Sequence, residues 1–367
     1  MTKGKVAVAL SGGVDSSAAA LLLKEDACEV IGIHMRLWES PHFAYQAHRA
    51  ENICRILDIP YHQVDLQKEF ELSVVDYFCQ EYQRGRTPNP CVACNRLIKF
   101  GLLLDKALSL GADYLATGHY ARVEHSRDGH RLLKATDTTR DQSYFLYTLT
   151  QEKLGHVMFP LGEHSRDEVK RMVKQARLPT ATKSSQDICF ISPKNYGVFL
   201  SQRFSTLPGD IVDTGGRKLG QHQGIAFCTI GQRHGLGLSS SQPLYVVRIE
   251  PEHNRIVLGQ EKELYSQKLT AQKLNWISGK SPREPITARA RIRYKSKETE
   301  AVLSFRNDSV DVHFAQPQKA VTPGQAIVFY NLDEVLGGGI IDSDEIGAQP
   351  ATQDDEKENF VSVSKPR

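Results

Sequence analysis

The chain has 367 residues, 40% of them hydrophobic, and a formal net charge of +3. That length exceeds one ordinary domain and points to two or three; no window resembles a membrane span, which leaves no membrane partner to expect. Seven cysteines, an odd number in so long a chain, argue against a disulfide framework and for a reducing compartment, the cytoplasm.

Taken in order, residues 6–10 read as a strand, 17–24 as a helix and 28–35 as a second strand. The chain enters its first strand almost at once, so no signal or transit peptide is expected. A helix over 44–57 leads to a short strand over 61–66. Helices near 73–83 and 95–110 precede a strand over 113–118. This alternation predicts a doubly wound parallel sheet, an α/β domain with ligands at the carboxyl ends of its strands. Residues 123–134, with Asp128-Gly129, can pair as a hairpin. An amphipathic basic helix is expected over 166–177. From about residue 205 turn signals break short β-prone runs, and after 268 regular short strands read as a small barrel. The expected domains are 1–204 (catalytic), 205–267 (small, central) and 268–346 (barrel-like), with a polar tail over 347–367 read as disordered.

Charge is unevenly spread. From Asp342 onward seven acidic residues face three basic ones, a net of −4, which leaves +7 for residues 1–341. Basic runs such as Arg289, Arg291, Arg293 and Lys295 permit a nucleic-acid partner, although solvated strand faces explain each run taken alone.

Two strings carry chemistry. The first is Ser11-Gly12-Gly13-Val14-Asp15-Ser16-Ser17, between the first strand and the first helix. Glycines let a ligand approach the main chain, and free N–H groups at a helix N-terminus attract phosphate. Asp15 repels a bare phosphate, so it either holds a metal ion or orients the loop. The spacing is neither that of P-loop NTPases nor that of dinucleotide binders. It resembles the loop of the ATP pyrophosphatase (PP-loop) superfamily, which implies cleavage of ATP between its α- and β-phosphates.

The second string is Thr87-Pro88-Asn89-Pro90-Cys91-Val92-Ala93-Cys94-Asn95. Two prolines impose an extended loop, and a helix is expected from about Asn95. A thiol at that helix start, with Arg86, Arg96 and Lys99 nearby in sequence, is expected to have a depressed pKa. A nucleophile, half of a zinc site and a redox pair remain open readings. Cys189 lies in a loop-like string, Asp187-Ile188-Cys189-Phe190. Cys28, placed in the second strand, and Cys54, Cys79 and Cys228 read as buried structural thiols.

These two strings, with Gly118-His119-Tyr120-Ala121, Asp141–Leu146, Gly231–Leu236, Pro323–Ala326 and Val335–Ile340, run in one order along nearly the whole chain. Together they resemble the tRNA-specific 2-thiouridylase family. The resemblance implies an ATP- and Mg²⁺-dependent sulfurtransferase that adenylates the C2 oxygen of the wobble uridine and replaces it with sulfur. By position, Ala9, Leu10, Ser11, Gly12, Gly13, Val14, Asp15, Ser16, Met35 and Gly118 would bind ATP. Asn89, Pro90 and Cys91 would surround the flipped-out base. His119, Arg140, Asp141, Gln142, Arg293, Tyr294 and Gln325 would contact tRNA. Cys189 would carry a persulfide and Cys94 would be the partner nucleophile, the two ending as a disulfide. A sulfur-carrier protein or cysteine desulfurase is the implied donor and a monomer the implied state. Many family members have Asp where this chain has Cys91, which puts an acid/base role for this position in doubt. It also opens an alternative, a [4Fe–4S] cluster on Cys91, Cys94 and Cys189. A different PP-loop enzyme would have no need of Cys94 and Cys189, and a non-enzymatic RNA-binding module no need of a complete ATP loop.

Overall fold

The computed structural model describes residues 4–39, 41–181, 188–191, 196–238, 240 and 242–343. Seven strands precede residue 160: β1 (Lys5–Ala9), β2 (Glu29–Arg36), β3 (Tyr61–Asp65), β4 (Tyr114–Ala116), β5 (Ala121–Ser126), β6 (Gly129–Lys134) and β7 (Val157–Met158). Five of them form an all-parallel sheet in the order β3-β2-β1-β4-β7. Val6 and Val8 of β1 pack with α1 (Val14–Glu25), α2 (Pro41–Leu57) and helix Arg166–Gln175. Ala7, Ile31, Ile33 and Leu115 pack the other way, against Phe100, Leu103 and Ala107. Burial on both faces is why β1 reads as an unbroken apolar run. Sheet order reverses at β1, so a crevice opens at the carboxyl ends of β1 and β4, where open α/β sheets bind ligands. Cys28 precedes β2 rather than lying in it, its N–H donating to Leu23 O at 3.1 Å.

A mixed four-stranded sheet follows, β8 (Gly209–Asp213), β9 (Lys218–His222), β10 (Tyr245–Glu250) and β11 (Arg255–Gly259), with β8 and β11 parallel. Six further strands make a barrel: β12 (Tyr265–Trp276), β13 (Ile286–Arg291), β14 (Thr299–Arg306), β15 (Ser309–Lys319), β16 (Ala326–Asn331) and β17 (Glu334–Ser343). They pair in the order β12-β15-β14-β13-β16-β17, and β17 returns to β12 to close the ring. Closure leaves no exposed edge within it. Inside, Trp276 stacks on Phe329 with centroids 5.6 Å apart. The expected disorder over 347–367 lies outside the described residues.

The first and last units share a core. Hairpin β5–β6 joins the barrel sheet through Leu133 and Glu334, and Lys134 N donates to Asp333 O at 2.8 Å. Tyr144 and Tyr147 pack with Val328, Tyr330 and Val335 in one cluster. Lys134 Nζ lies 2.8 Å from Glu298, which also takes Arg291 at 2.6 Å; both cations sit over the Tyr330 ring. A second junction lies at Arg86. Its Nε donates to Glu81 Oε2 at 2.9 Å, and its Nη1 to Asp342 Oδ1 at 2.8 Å.

Glu81 is only 5% exposed. Arg86→Met leaves that carboxylate with the exposed Arg84 alone, a cost of roughly 2–4 kcal/mol. Urea unfolding followed by circular dichroism should show a lower midpoint; an unchanged midpoint would mean the junction carries no load.

Candidate active site

The phosphate-loop geometry follows from its small residues. Gly12 has φ +69°, and a Cβ there would stand 2.9 Å from Gln46 O and from Arg49 Cβ. Gly13 caps α1 in an extended conformation without a side-chain capping bond. The hydroxyls of Ser16 and Ser17 turn back onto Gly13 O at 3.2 and 2.7 Å, and Ser16 Oγ also receives Ser11 N at 3.2 Å. No side chain therefore caps the N-terminus of α1, which remains suited to an anion. Helix α1 starts at Val14 and not at 17, because Gly13 supplies the entry angle. Ser11 is exposed, Leu10 and Ser16 are buried, and Ala9 and Val14 are half-buried.

Gly118, just past β4, closes the other wall. A Cβ there would come within 2.7 Å of Asp15 C and Ser16 N. Met35, half-buried, sits near the carboxyl end of β2 opposite Val64. Asp15 Oδ1 accepts from Tyr120 Oη at 2.9 Å and from the Arg166 guanidinium. Of the two readings of Asp15, this arrangement matches the loop organiser. Ala181 N donates to Gly12 O at 3.2 Å, so the segment leading toward Cys189 departs from the phosphate loop itself.

The thiol region departs from expectation. Asn89 Oδ1 accepts from Val92 N at 3.4 Å, and the helix starts at Pro90 rather than Asn95. Proline is favoured there, having no N–H to leave unpaired. Two helical runs then follow through 90–109, meeting at a kink at Phe100 (φ −99°, ψ 17°) within the π-helical stretch Asn95–Leu103. Cys94 thus lies within a helix, buried, and burial pushes its thiol up to about 11 instead of down. The Arg86 guanidinium is turned to Glu81 and Asp342. Cys91 and Cys189 are exposed, yet desolvation by the surrounding protein raises both, Cys189 to about 12. Cys94 and Cys91 act on Cys189 in the same direction as burial. Phe190, beside Cys189, sits among Trp38, Phe70, Phe78 and Phe199, with centroids 5.5–6.1 Å away. Cys94 and Ile98 pack in the same cluster. Among the described residues no group of three or more His, Cys, Asp or Glu is set to hold a metal ion. The cluster alternative on Cys91, Cys94 and Cys189 finds no support in this geometry.

The residues expected at tRNA fall into two kinds. His119 is fixed between Thr117 Oγ1 (2.7 Å) and Lys99 Nζ (3.5 Å), its ring against Phe100 and Phe159. Burial, then Lys99, holds its pKa well below the usual value, so it is neutral at pH 7 rather than cationic. Asp141 is 3% exposed and accepts from Ser143 and Ala135, a position that shapes the loop. Gln142 Oε1 receives Tyr120 N at 3.0 Å. Gln325 Nε2 reaches Thr87 O and Pro88 O at 2.8 and 3.3 Å, gripping the thiol loop from the barrel. Arg293 donates to Lys319 O, and the Tyr294 ring lies 4.6 Å from Phe145. Arg140 is half-buried, its N–H bonded to Asp137 O at 3.0 Å. Sequence reading missed Tyr120, Arg166 and Phe190 as parts of the site. Tyr120 and Phe190 lay inside quoted motifs without a role; Arg166 meets the site through folding.

Comparison with known proteins adds a family to this geometry. The model described as "tRNA methyl transferase HUP domain" matches residues 4–193, the PRC-barrel domain of the same series matches 197–260, and "Aminomethyltransferase beta-barrel domain" matches 266–341. The tRNA-specific 2-thiouridylase MnmA 1 of Caldanaerobacter subterraneus is 47% identical over 92% of this chain and 98% of its own. The tRNA-specific 2-thiouridylase MnmA of Carboxydothermus hydrogenoformans is 46% identical over 92% and 97%. Among solved structures, the U34-tRNA thiolase NcsA from Methanococcus maripaludis aligns with a TM-score of 0.36 at 20% identity, covering 55% of this chain and 64% of its own. With near-complete coverage at this identity, and with an uncapped α1 N-terminus and neighbouring thiols in one domain, the chain belongs to the tRNA-specific 2-thiouridylase family.

Proposed function

We infer that the protein thiolates tRNA, converting the wobble uridine to 2-thiouridine at the expense of ATP. The observation that carries this reading is the uncapped helix N-terminus at the sheet crevice, in a chain where Cys94 and the neighbours of Cys189, Ile188 and Phe190, pack in one cluster. ATP phosphates lie on the Gly12–Ser16 turn, with Met35 and Gly118 at the nucleoside. Mg²⁺ would neutralise phosphate charge there; Asp15, the loop's carboxylate, is held by Tyr120 and Arg166. Asn89, Pro90 and Cys91 face the flipped-out base. Its C2 oxygen attacks the α-phosphorus and pyrophosphate leaves. The terminal sulfur of a Cys189 persulfide attacks C2, and AMP departs with the oxygen. Cys94 thiolate then attacks the Cys189 sulfur of the C2–S–S–Cys189 adduct. A Cys94–Cys189 disulfide forms, 2-thiouridine leaves, and an external thiol restores the enzyme. A sulfur-carrier protein or desulfurase loads Cys189. Catalysis takes place in the cytoplasm on a single subunit. Cys91, its thiol raised by burial, stays neutral and packs against the base rather than exchanging protons.

Cys94→Ser and Cys189→Ser should each lose roughly a thousandfold or more of thiolation, while Cys91→Ser keeps it. Mass spectrometry of digested tRNA nucleosides reads this; full activity in the first two variants would reject the reading. Gly118→Ala places a methyl within 2.7 Å of the Asp15–Ser16 backbone, which must shift, and should weaken ATP binding about tenfold or more. Calorimetric titration with a non-hydrolysable ATP analogue measures it, and unchanged affinity would remove ATP from this crevice.

A further inference from the structure

We propose that Arg166 is a phosphate-binding residue of the nucleotide site, its guanidinium joined to Asp15 by one N–H and open to donate its others to the phosphates of ATP. The helix Arg166–Gln175 brings it there. Ser165 caps that helix, receiving Glu168 N at 3.3 Å, and Arg166 N donates to Asp137 Oδ2 at 3.1 Å, so the first turn is fixed. A cation is disfavoured at the first position of a helix, where the backbone dipole is positive. Asp167 and Glu168, next to it, follow that preference, and Arg166 breaks it. Its guanidinium instead reaches the first turn of α1, donating to Asp15 Oδ1, which also accepts from Tyr120 Oη at 2.9 Å. The side chain is only 12% exposed, so the cation is held at this spot.

Charge then decides what it serves. An ionised Asp15 beside the free N–H groups of α1 repels phosphate, and the guanidinium cancels that charge. The hydroxyls of Ser16 and Ser17 are turned back onto Gly13 O, which leaves the loop few side-chain donors for an anion. Arginine presents a planar fork of N–H groups that suits phosphate. Among the described residues only Asp15 accepts from the Arg166 guanidinium. Its other donors remain for an anion seated on the same turn.

The inference rests on the reading that ATP occupies this crevice, and its test separates the two. Titration calorimetry of the full chain with Mg²⁺ and α,β-methylene-ATP compares the parent with Asp15→Asn, Arg166→Met and the double variant. Adenosine, measured by displacement of the analogue, is the control without phosphate. Arg166→Met should weaken the analogue roughly 10- to 100-fold, the usual effect of losing charge-assisted hydrogen bonds, and leave adenosine within about threefold of the parent. The double variant should stay about tenfold or more weaker than Asp15→Asn alone. Arg166→Gln replaces Arg166→Met in both arms if the latter folds poorly. Unchanged affinity for the analogue, or an equal loss for adenosine, would overturn the inference. So would recovery of the double variant to the affinity of Asp15→Asn, since Arg166 would then serve Asp15 alone. A parent that binds neither ligand would instead reject ATP in this crevice, and the inference with it.

Discussion

The grip of the barrel on residues 86–90 is the contact that fixes the start of the helix bearing Cys91 and Cys94. Pro88 and Pro90 have no N–H, so this loop cannot satisfy itself through local turns, and its carbonyls need donors from elsewhere. Gln325 supplies them to Thr87 and Pro88, and Thr87 N returns a bond to Pro323 O at 2.9 Å. Gly324, with φ +91°, lets the two backbones meet, since a Cβ there would lie 3.0 Å from Thr87. Arg86 adds charge to the same seam. Held in this way, Asn89 caps the helix that carries Cys91 and Cys94.

Two kinds of support hold the two halves of the proposed site. The nucleotide side is built on the parallel sheet, where β1 and β4 end side by side and Gly12, Gly13 and Gly118 allow close backbone approach. The sulfur side hangs from an aromatic cluster: Phe190 anchors the Cys189 turn in the packing that surrounds Cys94. One hydrogen bond, Ala181 N to Gly12 O, ties the start of that segment to the phosphate loop. Burial raises the pKa of both Cys94 and Cys189, which favours their protonated form.

Much of the scaffold was legible because its signals are local. The apolar run of β1, the Gly-Gly turn and the alternation of β-prone runs after 268 each reflect one element's own period. The helix start at Pro90 was misplaced because Pro-Asn-Pro reads as extended chain, while the Asn89 cap and the N1 preference of proline decide otherwise. The Cys94 pKa went the wrong way for a related reason. Sequence neighbours Arg86 and Arg96 suggested a cationic setting, but Arg86 points to Glu81 and Asp342, and burial dominates. The shared core of the first domain and the barrel was invisible, since Tyr144 meets Ala326 O only through pairing of distant segments. Asp141 and Gln325, named as contacts to tRNA, are engaged within the fold for the same reason.

The central claim is that ATP activates one oxygen and that two thiols deliver its replacement. A single-turnover experiment with Cys189-persulfidated protein, ATP, Mg²⁺ and unmodified tRNA, without added reductant, tests it directly. AMP, 2-thiouridine and free thiols are counted together. The account predicts one AMP for each 2-thiouridine and a matching Cys94–Cys189 disulfide found by peptide mapping. Thiolated tRNA formed without AMP, or with Cys94 still a free thiol, would contradict it.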